Sequence, residues 1–132
     1  MAELVYLDAS AIVKLVVEEA ESSALREALR ERPRRVSSAL ALVEVRLAVG
    51  RRSPAPPRGR VQTVLAGVTL IPVDHETLET ASGLGGHGLR ALDAIHLATA
   101  RSLGDDLESL IAYDRRLLSA ARADGISTHA PR

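Results

Sequence analysis

A three-layer α/β/α sandwich around a central, mostly parallel sheet is the fold this sequence predicts. Two observations carry that expectation. Short apolar runs that read as strands alternate along the whole chain with stretches of helical periodicity, the pattern of a parallel sheet covered by helices. Two of these runs, Val5-Tyr6-Leu7 and Leu110-Ile111-Ala112-Tyr113, are followed by an aspartate, Asp8 and Asp114, that opens a helix at once. In open α/β sheets, ligands bind beyond the carboxyl ends of the strands and against helix N-termini. Both aspartates therefore fall where such a fold places chemistry. Each is also a favoured helix cap, and position alone does not separate the two roles.

The elements follow in order. A first helix is expected from Ser10 through Glu18 or Glu19, with Ile12, Val13, Leu15, Val16 and Val17 dense enough for burial. Ser22 or Ser23 can cap a second, Ala24 to Arg32, whose Leu25 and Leu29 share a face before Pro33 stops it. Arg35-Val36-Ser37 reads as a short strand, and Ser38 caps a third helix running from Ala39 to about Arg51. Leu40, Val43 and Leu47 give that helix its clearest apolar stripe, with Leu42, Val45 and Val49 fitting less cleanly. Glu44 lies beside Leu40 and Leu47, where a carboxylate costs free energy unless something pairs with it.

The prolines between Arg51 and Arg60 make that basic stretch a loop. Val61 to Leu65 suits a short helix, Val68 to Val73 a strand, and Asp74 or His75 opens a helix through Ala81. Gly83 to Gly88 is a turn, since it lacks both the Lys-Ser/Thr ending of a P-loop and the spacing of a dinucleotide fingerprint. Leu89 to Ala100 is a helix with Asp93 near its N-terminus and His96 one turn on. His96 is read as a hydrogen-bonded core residue and not as a metal ligand. After a turn at Gly104-Asp105-Asp106 come the strand ending at Tyr113, the helix Arg115 to Ala123 closed by Gly125, and a short edge strand over Ile126 to Thr128.

Composition narrows the classes of function. At 132 residues the chain is read as one domain, 1–132, with a single core. The absence of cysteine excludes a disulfide framework and a thiolate metal site. No apolar run reaches the length of a membrane span, and the N-terminus lacks the basic and long apolar regions of a signal peptide, so the expected location is the cytoplasm. Formal net charge is zero, which rules out whole-molecule attraction to nucleic acid. Basic charge is nonetheless local: Arg51, Arg52, Arg58 and Arg60 crowd one stretch, and Lys14 is the only lysine. With two tyrosines and no Phe or Trp, a base-stacking platform is not expected.

In a parallel sandwich Asp8 and Asp114 share one edge of the sheet, and Asp93 and Glu44 can reach it. Four carboxylates gathered in a partly desolvated cleft repel one another unless a cation joins them. Mg²⁺ or Mn²⁺ suits oxygen ligands and keeps several waters, and the associated chemistry is phosphodiester hydrolysis by a metal-activated water. Nothing in the sequence offers a competing Ser-His-Asp or Cys-His arrangement.

The segments VYLDASAIVKL, SSALALVEVRLAVGR, LRALDAIHLATA and LIAYDRRLLSAAR resemble, in order and spacing, those of PIN-domain ribonucleases and more narrowly the VapC-type toxins of toxin–antitoxin pairs. The resemblance implies that Asp8, Glu44, Asp93 and Asp114 form an acidic site, with Asp8, Asp93 and Asp114 on the metal. Glu44 would hold or polarise a metal-bound water, and Ser10 would orient a carboxylate. Relatives commonly carry Thr or Ser two residues before the last acid, where this chain has Ala112. Also implied are an RNA substrate, a VapB-like antitoxin whose C-terminal segment crosses the site, and a homodimer with a basic-rimmed groove. Lys14, Arg51, Arg52, Arg58 and Arg60 are the rim candidates, and the surface around Leu15, Val16, Leu25 and Leu29 is the candidate for receiving an antitoxin helix.

Three rival folds share a strand-end aspartate or the acidic edge. A receiver-type phosphoacceptor domain needs a late lysine that this chain lacks, and a haloacid-dehalogenase-like phosphatase needs an aspartate at Ser10. A non-catalytic PIN fold that only binds RNA or protein is the remaining alternative.

Overall fold

The computed structural model describes residues 2–132, the His87 side chain excepted. Five parallel strands form one sheet in the order β3-β2-β1-β4-β5: β1 Leu4–Leu7, β2 Arg35–Ser38, β3 Thr69–Ile71, β4 Leu107–Ile111 and β5 Thr128–His129. Seven α-helices are described: α1 Ala9–Val16, α2 Ser22–Leu29, α3 Leu40–Gly50, α4 Arg60–Ala66, α5 His75–Ser82, α6 Ala91–Arg101 and α7 Arg115–Ala123. The expected sandwich is the observed one. Side chains of a strand point alternately to its two faces, and β1 and β4 divide accordingly. Val5, Leu7 and Ile111 pack under α1 to α4, whereas Tyr6 and Leu110 pack under α5 to α7.

Chain order makes the crevice. From β1 the chain steps outward to β2 and β3, then returns to place β4 on the other side of β1. Connections therefore leave β1 and β4 in opposite directions, opening a gap beyond their carboxyl ends. The backbone N–H of Asp8 donates to Ile111 O at 3.2 Å, tying the two strand ends together at the floor of that gap.

Several local expectations need correction. α1 stops at Val16, because Val17 is already extended and its N–H closes on Val13 O. Ser22 does not cap α2, whose N-cap is Glu21 with no side-chain hydrogen bond. Its buried hydroxyl instead donates to Lys14 O at 2.7 Å and accepts from Glu19 N at 2.8 Å, filling unpaired backbone groups where α1 ends. α2 itself runs only from Ser22 to Leu29. Ser38 does serve the entry to α3, accepting from Leu40 N at 3.1 Å. β4 ends at Ile111, so Ala112 and Tyr113 form a short extension before Asp114 and are not part of the strand.

α3 is rotated from the stripe its sequence suggests. It buries Ala41, Val45 and Val49, leaving Val43 and Leu47 more than half exposed. The helix is apolar nearly all round, so periodicity alone could not choose its buried face. The candidate antitoxin surface also fails as an exposed patch: Val16, Leu25 and Leu29 are core residues, and Leu15 packs against them.

Candidate active site

Each of the four acids is carried to the crevice by a different element. Asp8 is the N-cap of α1, its Oδ1 accepting from Ala11 N at 3.0 Å and from the Ser10 hydroxyl at 2.6 Å. Asp114 caps α7 in the same way, accepting from Leu117 N at 3.0 Å. The capping role and the site role thus coincide. A cap places a carboxylate beside a helix N-terminus, which is also the positive end of the helix dipole. Asp93 occupies the first turn of α6, half-buried, and Glu44 projects from α3, also half-buried.

Asp8 is only 4% exposed. Burial pushes its carboxyl up to about 6, against the opposing hydrogen bonds from Ser10 and the Ala11 backbone N–H, with the charge of Asp93 adding to the rise. Asp93 is raised too, first by desolvation, then by Asp114 and, more weakly, by Glu44, while Arg90 pulls it down. These cross-effects place Asp93 within electrostatic reach of the other three acids. Both hydrogen bonds accepted by Asp8 fall on Oδ1, and none is made to Oδ2 among the described residues.

Ser10 reaches further than Asp8. Its Oγ also accepts from the Tyr113 backbone N–H at 3.1 Å, joining the start of α1 to the segment that leads into Asp114. Ala112, where the resemblance leads one to expect a hydroxyl, is fully buried in the core. Asp114 is oriented by its own cap instead.

The sequence reading missed one participant as a site residue. His96 is 1% exposed and takes two hydrogen bonds of 2.6 Å, Nδ1 to Tyr6 Oη and Nε2 to Glu44 Oε1. It is the buried, satisfied histidine expected, yet its partner is a site acid. A histidine one turn after Asp93, with an unpaired glutamate elsewhere on an apolar helix, was the available signal. Only tertiary structure joins them.

The rim candidates divide. Lys14 pairs with Glu21 at 2.8 Å and Glu19 at 3.4 Å and lies 4.7 Å over the Tyr113 ring. That contact covers one face of the Tyr113 ring. Arg52 pairs with Glu19 at 2.7 Å, and Arg60 donates to Leu15 O at 3.2 Å. Arg51 and Arg58 are exposed and make no ion pair among the described residues. Three exposed arginines passed over in the sequence stand closer to the acids: Arg90 at the N-cap of α6, and Arg115 and Arg116 in the first turn of α7. Their adjacency to Asp93 and Asp114 was visible in the sequence.

The donor set fits a hard divalent cation. It is all oxygen, Asp93 adds to the rise at Asp8 and Asp114 and Glu44 add to that at Asp93, and a bound cation would relieve that repulsion. Among the described residues no three acids or histidines converge as a ready-made cage.

Comparison with known proteins agrees with this architecture. A family model described as PIN domain matches residues 5–123. The chain is 51% identical over 128 residues to Ribonuclease VapC46 of Mycobacterium tuberculosis, covering 96% of this chain and 97% of that one. Among solved structures, the Sarcin-Ricin loop cleaving toxin VapC20 of Mycobacterium tuberculosis superposes with a TM-score of 0.75 at 20% identity, over 96% of this chain and 99% of the other. A chain of a toxin–antitoxin complex from Klebsiella pneumoniae gives 0.66 at 22% identity, over 83% and 86%. A matched family model over most of the chain, a relative sharing half its residues and a common fold lead to one conclusion: this chain belongs to the PIN-domain family, among its VapC-type members.

Proposed function

We propose that this chain, residues 1–132 forming one PIN domain, is the toxin of a type II toxin–antitoxin pair and acts as a metal-dependent endoribonuclease. The observation that carries the mechanism is the gathering of Asp8, Glu44, Asp93 and Asp114 beyond the strand ends, with Asp8 buried and its carboxyl pushed up to about 6. Asp8 and Asp93, joined by Asp114 directly or through water, are the residues that would hold Mg²⁺ or Mn²⁺. Such an ion, when bound, offsets charge on the scissile phosphate and eases ionisation of the attacking water.

The chain's own groups do the rest. Ser10 holds the Asp8 carboxylate by Oδ1 and leaves Oδ2 for ligation. Glu44, anchored through Oε1 by His96, keeps Oε2 to accept the proton of the attacking water. Arg90, Arg115 and Arg116 stand at the helix starts beside the acids, where they can meet RNA phosphates, and Arg51 and Arg58 can extend that contact along the loop. Lys14, Arg52 and Arg60 stay with their internal partners.

A VapB-like antitoxin is the expected inhibitor, and a homodimer the expected working state. Val43 and Leu47, one turn apart on the exposed side of α3, with Leu78 and Leu92 also exposed, are the apolar surface available to a second copy. No described helix is long and apolar enough to cross a membrane, and a toxin that cuts RNA works in the cytoplasm.

One observation favours the non-catalytic alternative: among the described residues no three acids or histidines converge as a preformed cage. The deciding experiment incubates the purified chain with a mixed RNA pool in Mg²⁺ or Mn²⁺, in EDTA, and as Asp8→Asn. Cleavage that needs the metal and vanishes in the variant is the expected outcome. Binding of RNA without cleavage in either metal would establish the alternative.

A further inference from the structure

We infer that Tyr6 and His96 are positioning residues: the chain Tyr6 Oη–His96 Nδ1/Nε2–Glu44 Oε1 holds an imidazole with its proton on Nε2, and this brace sets the pose in which Glu44 faces the other acids. The inference rests on the reading of Glu44 as the proton-accepting carboxylate. It goes beyond that reading by assigning work to two residues that touch neither RNA nor a metal.

The geometry supplies the first argument. Both contacts are 2.6 Å, and the one to Glu44 has a charged member. His96 is 1% exposed, so neither ring nitrogen has water to fall back on. The Tyr6 and His96 rings meet edge to face with centroids 5.8 Å apart and planes at 78°, which stops the imidazole from turning. The Thr99 hydroxyl is committed to Ile95 O at 2.7 Å and does not compete for the ring.

Proton inventory supplies the second. An ionised carboxylate only accepts, so Glu44 requires a donor at Nε2. A neutral ring with its proton on Nε2 must then accept at Nδ1, and the phenol is the donor in place. A phenol is protonated near neutral pH, so Tyr6 has a proton to give. Of the two neutral tautomers, only the one with its proton on Nε2 satisfies every member, and the hydroxyl selects it by occupying Nδ1.

The third argument is placement. Tyr6 lies on β1 two residues before Asp8, His96 on α6 three residues after Asp93, and Glu44 on α3. The brace cross-links the three elements that deliver three of the four acids. α3 otherwise buries only small and β-branched residues at Ala41, Val45 and Val49, so the brace is the polar tie that fixes where along the crevice its carboxylate sits.

The test has two parts on the full-length protein. Long-range ¹H–¹⁵N correlation spectra of the metal-free chain should show His96 protonated at Nε2 and bare at Nδ1, with the Nδ1 resonance displaced in Tyr6→Phe. A proton on Nδ1 would overturn the inference whether or not the chain cuts RNA. Kinetics on the cleaved RNA then separate positioning from support. Tyr6→Phe, which keeps the ring and its packing, should lower kcat about tenfold, the usual scale for losing an orienting hydrogen bond, with KM unchanged. In the Glu44→Gln background the same substitution should cost nothing further. An equal loss in both backgrounds would show that Tyr6 acts independently of Glu44. If the wild-type chain cleaves no RNA, the nuclease reading fails, and the tautomer measurement still decides the brace.

Discussion

Asp8 shows how one residue can be both a structural cap and a source of strain. Its two hydrogen bonds hold it in place, yet burial and Asp93 disfavour its charge. Without a metal, the folded chain therefore binds a proton at Asp8 more tightly than the unfolded chain does. Stability should fall as pH rises through the interval between the ordinary carboxylate value and about 6, then level off. The cost of the ionised form near neutral pH is roughly 2 to 3 kcal/mol. Asp8→Asn keeps an oxygen for both hydrogen bonds and carries no charge. In EDTA at pH 7 it should melt roughly 5 to 10 °C higher than wild type and lose most of the acid-side slope. An unchanged melting temperature and slope would mean that the Asp8 carboxylate is not penalised by its surroundings. The same substitution should abolish cleavage, a trade of stability against function that fits a site built to receive a cation.

The first turns of α6 and α7 each combine an acid with exposed arginine: Arg90 before Asp93, and Arg115 and Arg116 after Asp114. The acid faces the crevice, the arginine is free for a phosphate, and the helix dipole assists both anionic partners. The loop arginines lie on a different element, and two of the four are already engaged. Removing Arg115 and Arg116 together by alanine substitution should therefore weaken RNA binding more than removing Arg51 and Arg58. It should also reduce the salt dependence by up to about two phosphate contacts, with a slope change near 0.7 per contact on single strands. Fluorescence anisotropy across a salt series on the Asp8→Asn background measures this without cleavage. A larger effect from Arg51 and Arg58 would return the loop to its first role as the rim.

Across the whole molecule, two clusters of buried residues lie on opposite faces of a single sheet, and the largest exposed apolar side chains lie on α3, α5 and α6. Leaving Val43 and Leu47 more than half in water at i,i+4 gives a second copy an apolar seam that the core does not use. Wild type is expected to run as a dimer in light-scattering chromatography, and the double variant Val43→Glu, Leu47→Glu should fold, because neither position is buried, and run as a monomer. A dimer that survives both charges would place the interface elsewhere.

What the sequence by itself determined was the order and type of the elements and the identity of the acids. Apolar runs, caps and breakers act over a few residues, and Asp8, Asp74 and Asp114 do cap the helices their positions announce. Tertiary structure alone decided the facing of α3, because a helix apolar on all sides is turned by what it packs against. It also decided the fate of Ser22, whose hydroxyl closes the turn after α1, and of Lys14, Arg52 and Arg60, which bind partners inside the fold. The pairing of Glu44 with His96, 52 residues apart, and of His96 with Tyr6, 90 apart, had no local signature. Periodicity records which face of an element is apolar, whereas a buried hydrogen bond depends on how two faces meet.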